Sequence, residues 1–133
     1  MLLEVVENSS LETESYCRHF SMCGGCGGCS YQTLSYERQL ELKEKQVHDL
    51  LEPVIERLDD KVDINSVFEA ILPSPKQFEY RNKMEFSFGD ASFGGDLELG
   101  LHKRGSFYDI VTVKDCRIVD RDFRLILTET LAY

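Results

Sequence analysis

The 133-residue sequence predicts an α+β fold: a small antiparallel sheet, one long helix and a Cys/Gly-rich loop. Three observations predict it. Apolar residues recur at helical spacing from Tyr36 to Leu58, short runs alternate apolar and polar from Tyr80 onward, and four cysteines interleave with glycine between Cys17 and Cys29. The length suits one modest domain with a core, and 42% hydrophobic with 29% charged residues is ordinary for a globular chain.

In order along the chain, residues 1–16 read as an acidic leader, with room for one short strand. Residues 17–32, CRHFSMCGGCGGCSYQ, form a loop without secondary-structure period. Residues 33–133 read as the α+β domain. Thr33 or Ser35 caps a helix beginning near Tyr36, on which Tyr36, Leu40, Val47, Leu51, Val54 and Leu58 share a face and Glu41 pairs with Lys45. Pro53 ends this helix near Leu51 or starts another turn. Asp59 to Lys61 read as a turn and Val67 to Ile71 as a strand closed by Pro73-Ser74-Pro75.

Tyr80 to Phe88 reads as a strand with Tyr80, Asn82, Met84, Phe86 and Phe88 on the apolar side and Arg81, Lys83 and Glu85 opposite. A second strand carries Leu97, Leu99 and Leu101, and a third spans Tyr108 to Val113 after a tight Gly105-Ser106 connection. Asp120 caps a final helix with Phe123, Leu127 and Leu131 at spacing four. Tyr36, Phe86 and Phe88 read as core.

Composition narrows the function. The acidic start lacks a basic residue and a long apolar run, so no secretory signal or membrane span is expected, and the location reads as cytoplasmic. A net charge of −9 argues against a general polyanion binder. Residues 76–104 balance five basic against five acidic residues, so any nucleic acid contact is expected there.

The cysteine spacing is that of an inorganic centre rather than a disulfide scaffold. Cys17, Cys23, Cys26 and Cys29 lie close together and Cys116 lies far downstream. Glycine frees the backbone to wrap, and the remote cysteine ties the loop to the sheet. Spacing alone admits a [4Fe–4S] cluster or a tetrahedral zinc, with His19 as a further zinc donor. Three readings follow: an RNA enzyme's cluster segment, a small iron–sulfur electron carrier, or a zinc-stapled binding module. No cysteine precedes proline, as the carrier motif usually requires.

The run Cys17-Arg-His-Phe-Ser-Met-Cys23-Gly-Gly-Cys26 resembles the cluster loop of RNA uracil-5-methyltransferases that carry a [4Fe–4S] cluster. The following Ser30 to Leu40, then Tyr80-Arg81-Asn82-Lys83, Gly100 to Gly105 and the stretch ending at Cys116, are similar to that family in the same order. The resemblance implies four cysteine ligands. The fourth cysteine in this loop departs from the family's three. Counting from Cys17 selects Cys23 and Cys26, whereas counting back from Gln32 selects Cys26 and Cys29. The preferred set is Cys17, Cys26, Cys29 and Cys116, with Cys23 as alternate. The resemblance further implies RNA contacts, to rRNA or tRNA and not DNA, from Arg81, Asn82, Lys83, His102, Lys103 and Arg104. The family's catalytic cysteine, general base and S-adenosylmethionine site belong to a C-terminal domain with no counterpart in these residues, so no catalytic residue is assigned. The chain is expected to be part of a longer enzyme or a truncated reading frame, inactive alone.

Overall fold

The computed structural model describes residues 6–21, 24–58 and 62–133, which fall in two compact units. One comprises Met1–Glu12 and Leu34–Pro75, the other Thr13–Thr33 and Lys76–Tyr133. The architecture is the α+β one that the sequence predicts, with one long helix and a three-stranded antiparallel sheet.

The first unit is built on α1, Tyr36–Ile55. Ser35 is its cap, the hydroxyl accepting from the Arg38 amide at 3.3 Å. The helix runs past Leu51 and through Pro53, contrary to the sequence expectation. Proline so near the end removes one bond of the last turn, and the Glu56 amide resumes the ladder onto Glu52 at 3.0 Å. The surface pairs also differ from expectation: Arg38 bonds Glu41 at 2.5 Å and Lys45 bonds Asp49 at 2.8 Å. Where a strand was expected over Val67 to Ile71, a short helix, α2 (Ile64–Val67), ends instead. Asp63 caps α2 by accepting from the Asn65 amide at 3.1 Å, a local bond that outcompetes extension. Tyr36 is half-buried, and its hydroxyl accepts from the Ser74 amide at 2.6 Å. The expected turn at Asp59 to Lys61 lies outside the described residues, as do the first five residues of the leader.

The second unit holds β1 (Ser87–Asp90), β2 (Leu97–His102), β3 (Ile110–Val111) and α3 (Arg121–Ala132). The sheet order is β1-β2-β3, with Phe88 opposite Leu99 and Leu101 opposite Val111. Ile110, Val113, Ile118, Val119, Leu99 and Leu127 form the core, each fully buried aliphatic chain contributing about 1.5–3 kcal/mol. Asp120 caps α3 as expected, accepting from Asp122 at 2.9 Å. Among the described residues no helix is long and apolar enough to cross a membrane.

The expected strand over Tyr80 to Phe88 forms only in its last part. Upstream of Ser87 the chain makes one parallel bridge, Arg81 with Val119, the Arg81 amide donating to Ile118 at 3.0 Å. Antiparallel strands alternate their bonding between edges, so the β2 edge used by β1 continues at His102 and Arg104. The cysteine loop occupies that edge: Gly27 donates to the His102 carbonyl at 2.9 Å and Arg104 donates to Gly25 at 2.7 Å. The residues before Ser87 therefore lose their ladder partner. Asn82 is exposed rather than on an apolar side, and so are Tyr80 and Phe88, against the expectation that Phe88 is core.

Gly100 is set against β3 so closely that a Cβ there would strike the Val111 carbonyl. Gly100→Ala is expected to destabilise the second unit by about 1–3 kcal/mol, the usual cost of overpacking, as a lowered thermal midpoint. An unchanged midpoint would contradict the β2–β3 register.

Candidate metal centre

The loop is fixed before any metal is considered. At its start, the Ser15 hydroxyl accepts from the Cys17 amide at 3.2 Å and bonds buried Gln32 Oε1 at 2.7 Å, closing residues 17–32 on themselves. Inside it, Phe20 donates to the Cys17 carbonyl at 3.0 Å and Cys26 donates to His19 at 2.9 Å. A Cβ at Gly25 would lie 2.7 Å from the His19 carbonyl, so this crossing requires glycine. Cys26 bridges Lys103 in antiparallel fashion and is buried. Arg104 reaches back with Nη2 to the Cys29 carbonyl and lies 5.8 Å over the Phe20 ring. Its Nε is buried without a hydrogen-bond partner, so the guanidinium head is held inside the loop.

From the other side, Asp115 takes Arg18 at 3.3 Å and His19 at 3.2 Å, bringing Cys116 to the loop. Arg124 of α3 donates to the Cys116 carbonyl at 3.4 Å and pairs with Glu79 at 2.6 Å. Arg117 lies 4.2 Å over the Phe78 ring, which meets Tyr16 edge-on at 4.8 Å.

Cys17, Cys26, Cys29 and Cys116 thereby line one pocket with Tyr16, Phe20, Leu101, Val113, Arg117 and Ile118, and among the described residues no carboxylate lines it. None of the four is in a disulfide. Cys23 lies outside the described residues. Burial pushes the Cys26 thiol up, the Gly28 amide at 3.4 Å from its sulfur pulls it down, and Cys29 and Cys17 raise it again. Cys116 is likewise pushed up by burial, pulled down by the Ile118 and Val119 amides, and raised by Cys29 and Cys26. Tyr16 is pushed up to about 12, mostly by burial and then by Cys29. Four coupled sulfurs, amides aimed at two of them and an apolar wall fit a thiophilic metal group. The donors that come within 4.8 Å of one another in threes, among the described residues, are instead His48, Asp49 and Glu52 on α1. Lys45 already pairs with Asp49 there at 2.8 Å.

The basic residues divide. Arg81 and Lys83 line a groove of about 380 Å³ with Gly27 and Gly28, beside the loop. Asn82 is exposed next to them, and Lys83 is paired with Glu85 at 2.9 Å. His102 is exposed, Nε2 3.4 Å from Ser87, and Lys103 faces Asp109 at 3.7 Å. Ser15 and the Arg18–His19–Asp115 group were not visible in the sequence, since their roles depend on a partner far along the chain.

No family model matches the chain. Over 133 residues, 99% of the chain, it is 45% identical to an uncharacterized RNA methyltransferase of Clostridium tetani. It is 47% identical over 132 residues to one of Caldanaerobacter subterraneus and 39% identical over 116 residues to one of Nitratidesulfovibrio vulgaris. By sequence, the chain is homologous to a segment of RNA methyltransferases. It spans about 27% of the length of the first two of these proteins and 22% of the third.

Arg104→Ala removes the bond to Cys29 and is expected to loosen the loop by about 1–3 kcal/mol. Limited proteolysis within residues 17–32 should accelerate, and Arg104→Lys should not restore protection, because it cannot reproduce the planar fork. Equal cleavage rates in all three proteins would contradict the clamp.

Proposed function

We propose that this chain is the iron–sulfur-bearing, RNA-holding segment of an S-adenosylmethionine-dependent RNA uracil-5-methyltransferase. The observation that carries the proposal is the meeting of three loop cysteines with distant Cys116 in one apolar pocket, in a chain homologous to RNA methyltransferases. Cys17, Cys26, Cys29 and Cys116 are the proposed ligands of a [4Fe–4S] cluster. Bound there, the cluster supplies a covalent cross-link between loop and sheet and moves no electrons in methyl transfer. Such thiolates need a reducing compartment, which favours the cytoplasm.

Arg81, Asn82 and Lys83, beside the loop, with His102 and Lys103, are the proposed contacts to ribosomal or transfer RNA. The cation of Arg104 serves the loop instead. Methyl-donor binding and the attack on uracil are assigned to polypeptide beyond these 133 residues.

Anaerobic purification with iron, sulfide and zinc analysis tests the centre. About four irons and four sulfides per chain are expected. Cys26→Ser and Cys116→Ser should lose them, and Cys23→Ser should keep them. One zinc without sulfide, reproduced after anaerobic reconstitution, would replace this reading by a zinc-stapled module. For RNA, Arg81→Ala with Lys83→Ala should weaken binding and flatten its salt dependence by roughly 0.7 per lost phosphate contact on single strands. An unchanged salt slope would remove this pair from the interface.

A further inference from the structure

The cleft between the β1–β2 and β2–β3 connections is not used by the metal centre. Phe88, Phe93, Phe107 and Tyr108 line a space of about 460 Å³ there, with His102, Asp90 and Asp109 among its polar groups. Phe93 is 104% exposed, Phe107 90%, Tyr108 86% and Phe88 62%. Scattered exposed apolar residues are ordinary, but four aromatic rings around one cleft are a ligand-sized apolar surface.

The polar groups of this cleft are unsuited to phosphate. Asp90 accepts from the Gly94 amide at 3.1 Å, and Asp109 faces Lys103 at 3.7 Å, which leaves no surplus cation. A chain of net charge −9 also gains little from general attraction to a polyanion. Stacking of bases on aromatic faces supplies affinity without charge, and it suits single strands because every base has such a face. The geometry points to a platform on which unpaired RNA bases stack, formed by Phe93, Phe107, Tyr108 and Phe88, with His102 joining it to the basic residues. This rests on the RNA-holding reading and adds the chemistry by which an acidic chain achieves it.

The chain contains no tryptophan, so Phe107→Trp in the cluster-loaded 133-residue protein introduces a single indole reporter. Short single-stranded oligoadenylate should quench its emission. An abasic ribose–phosphate oligomer of equal charge should not. In the tryptophan-free chain, Phe93→Ala and Phe107→Ala should each weaken oligoadenylate binding about fivefold or more, with an unchanged salt slope. Both rings are so exposed that their removal leaves the fold intact, which thermal unfolding would verify. Unchanged affinity in these variants, with Arg81→Ala still weakening binding, would overturn the platform and spare the RNA-holding reading. Failure of the loaded wild-type chain to bind any RNA would overturn that reading itself. A change of oligomeric state in Phe93→Ala with RNA affinity intact would assign the rings to a second copy of the chain and overturn the platform.

Discussion

The second unit depends on one backbone seam. Gly25 and Gly27 bond to Arg104 and His102 along the edge of β2 that β1 has left open. This adds a strand-like segment made of glycine and cysteine to the sheet, and it is what buries Cys26. Arg104 clamps Cys29 because its own amide is already fixed to Gly25. The seam also accounts for the late start of β1, since the sheet edge cannot serve both the loop and the residues before Ser87.

Much of this fold was legible. Period and caps located α1 and α3 with Ser35 and Asp120 at their starts, because helix signals are local. What failed was set by distant partners or by a competing local bond. The alternation of Tyr80 to Phe88 reports an extended chain, but strand identity requires a free neighbouring edge, and the loop that takes it lies over fifty residues away. Near Val67 the helix that Asp63 caps takes the first residue of the expected strand, and residues 68–71 form no strand. On α1 the period located the helix but not its burial: Val47, Leu51 and Val54 are exposed within the described residues.

The candidate site was legible to a different degree. Cysteine and glycine spacing predicted a loop whose thiols converge, and the pocket gathers Cys17, Cys26, Cys29 and Cys116. The basic residues were less readable, because sequence cannot tell a cation facing solvent from one facing its own backbone. Arg81 and Arg104 look alike in the sequence, yet one lines an open groove and the other holds the Cys29 carbonyl. Asp115 likewise gained its role only when folding brought Arg18 and His19 to it.

The electrostatics of the pocket argue for a metal group more directly than the spacing does. Burial pushes the Cys26 and Cys116 thiols up, and the sulfurs beside them, Cys29 and Cys17 for the first and Cys29 and Cys26 for the second, raise them further, which disfavours the thiolate at these two positions. As neutral thiols they are weak hydrogen-bond partners that explain neither the amides aimed at them nor the glycine-enforced crossing at Gly25. A cation among the sulfurs would offset their mutual repulsion and lower their proton affinity, acting in the same direction as the Gly28, Ile118 and Val119 amides, which already favour the charged form. The core of this unit is a handful of aliphatic side chains beneath a two-residue β3, and a domain so small gains most from a staple between distant segments. Loop, sheet and α3 meet at Cys116 through Asp115 and Arg124, which is where such a staple would be most effective.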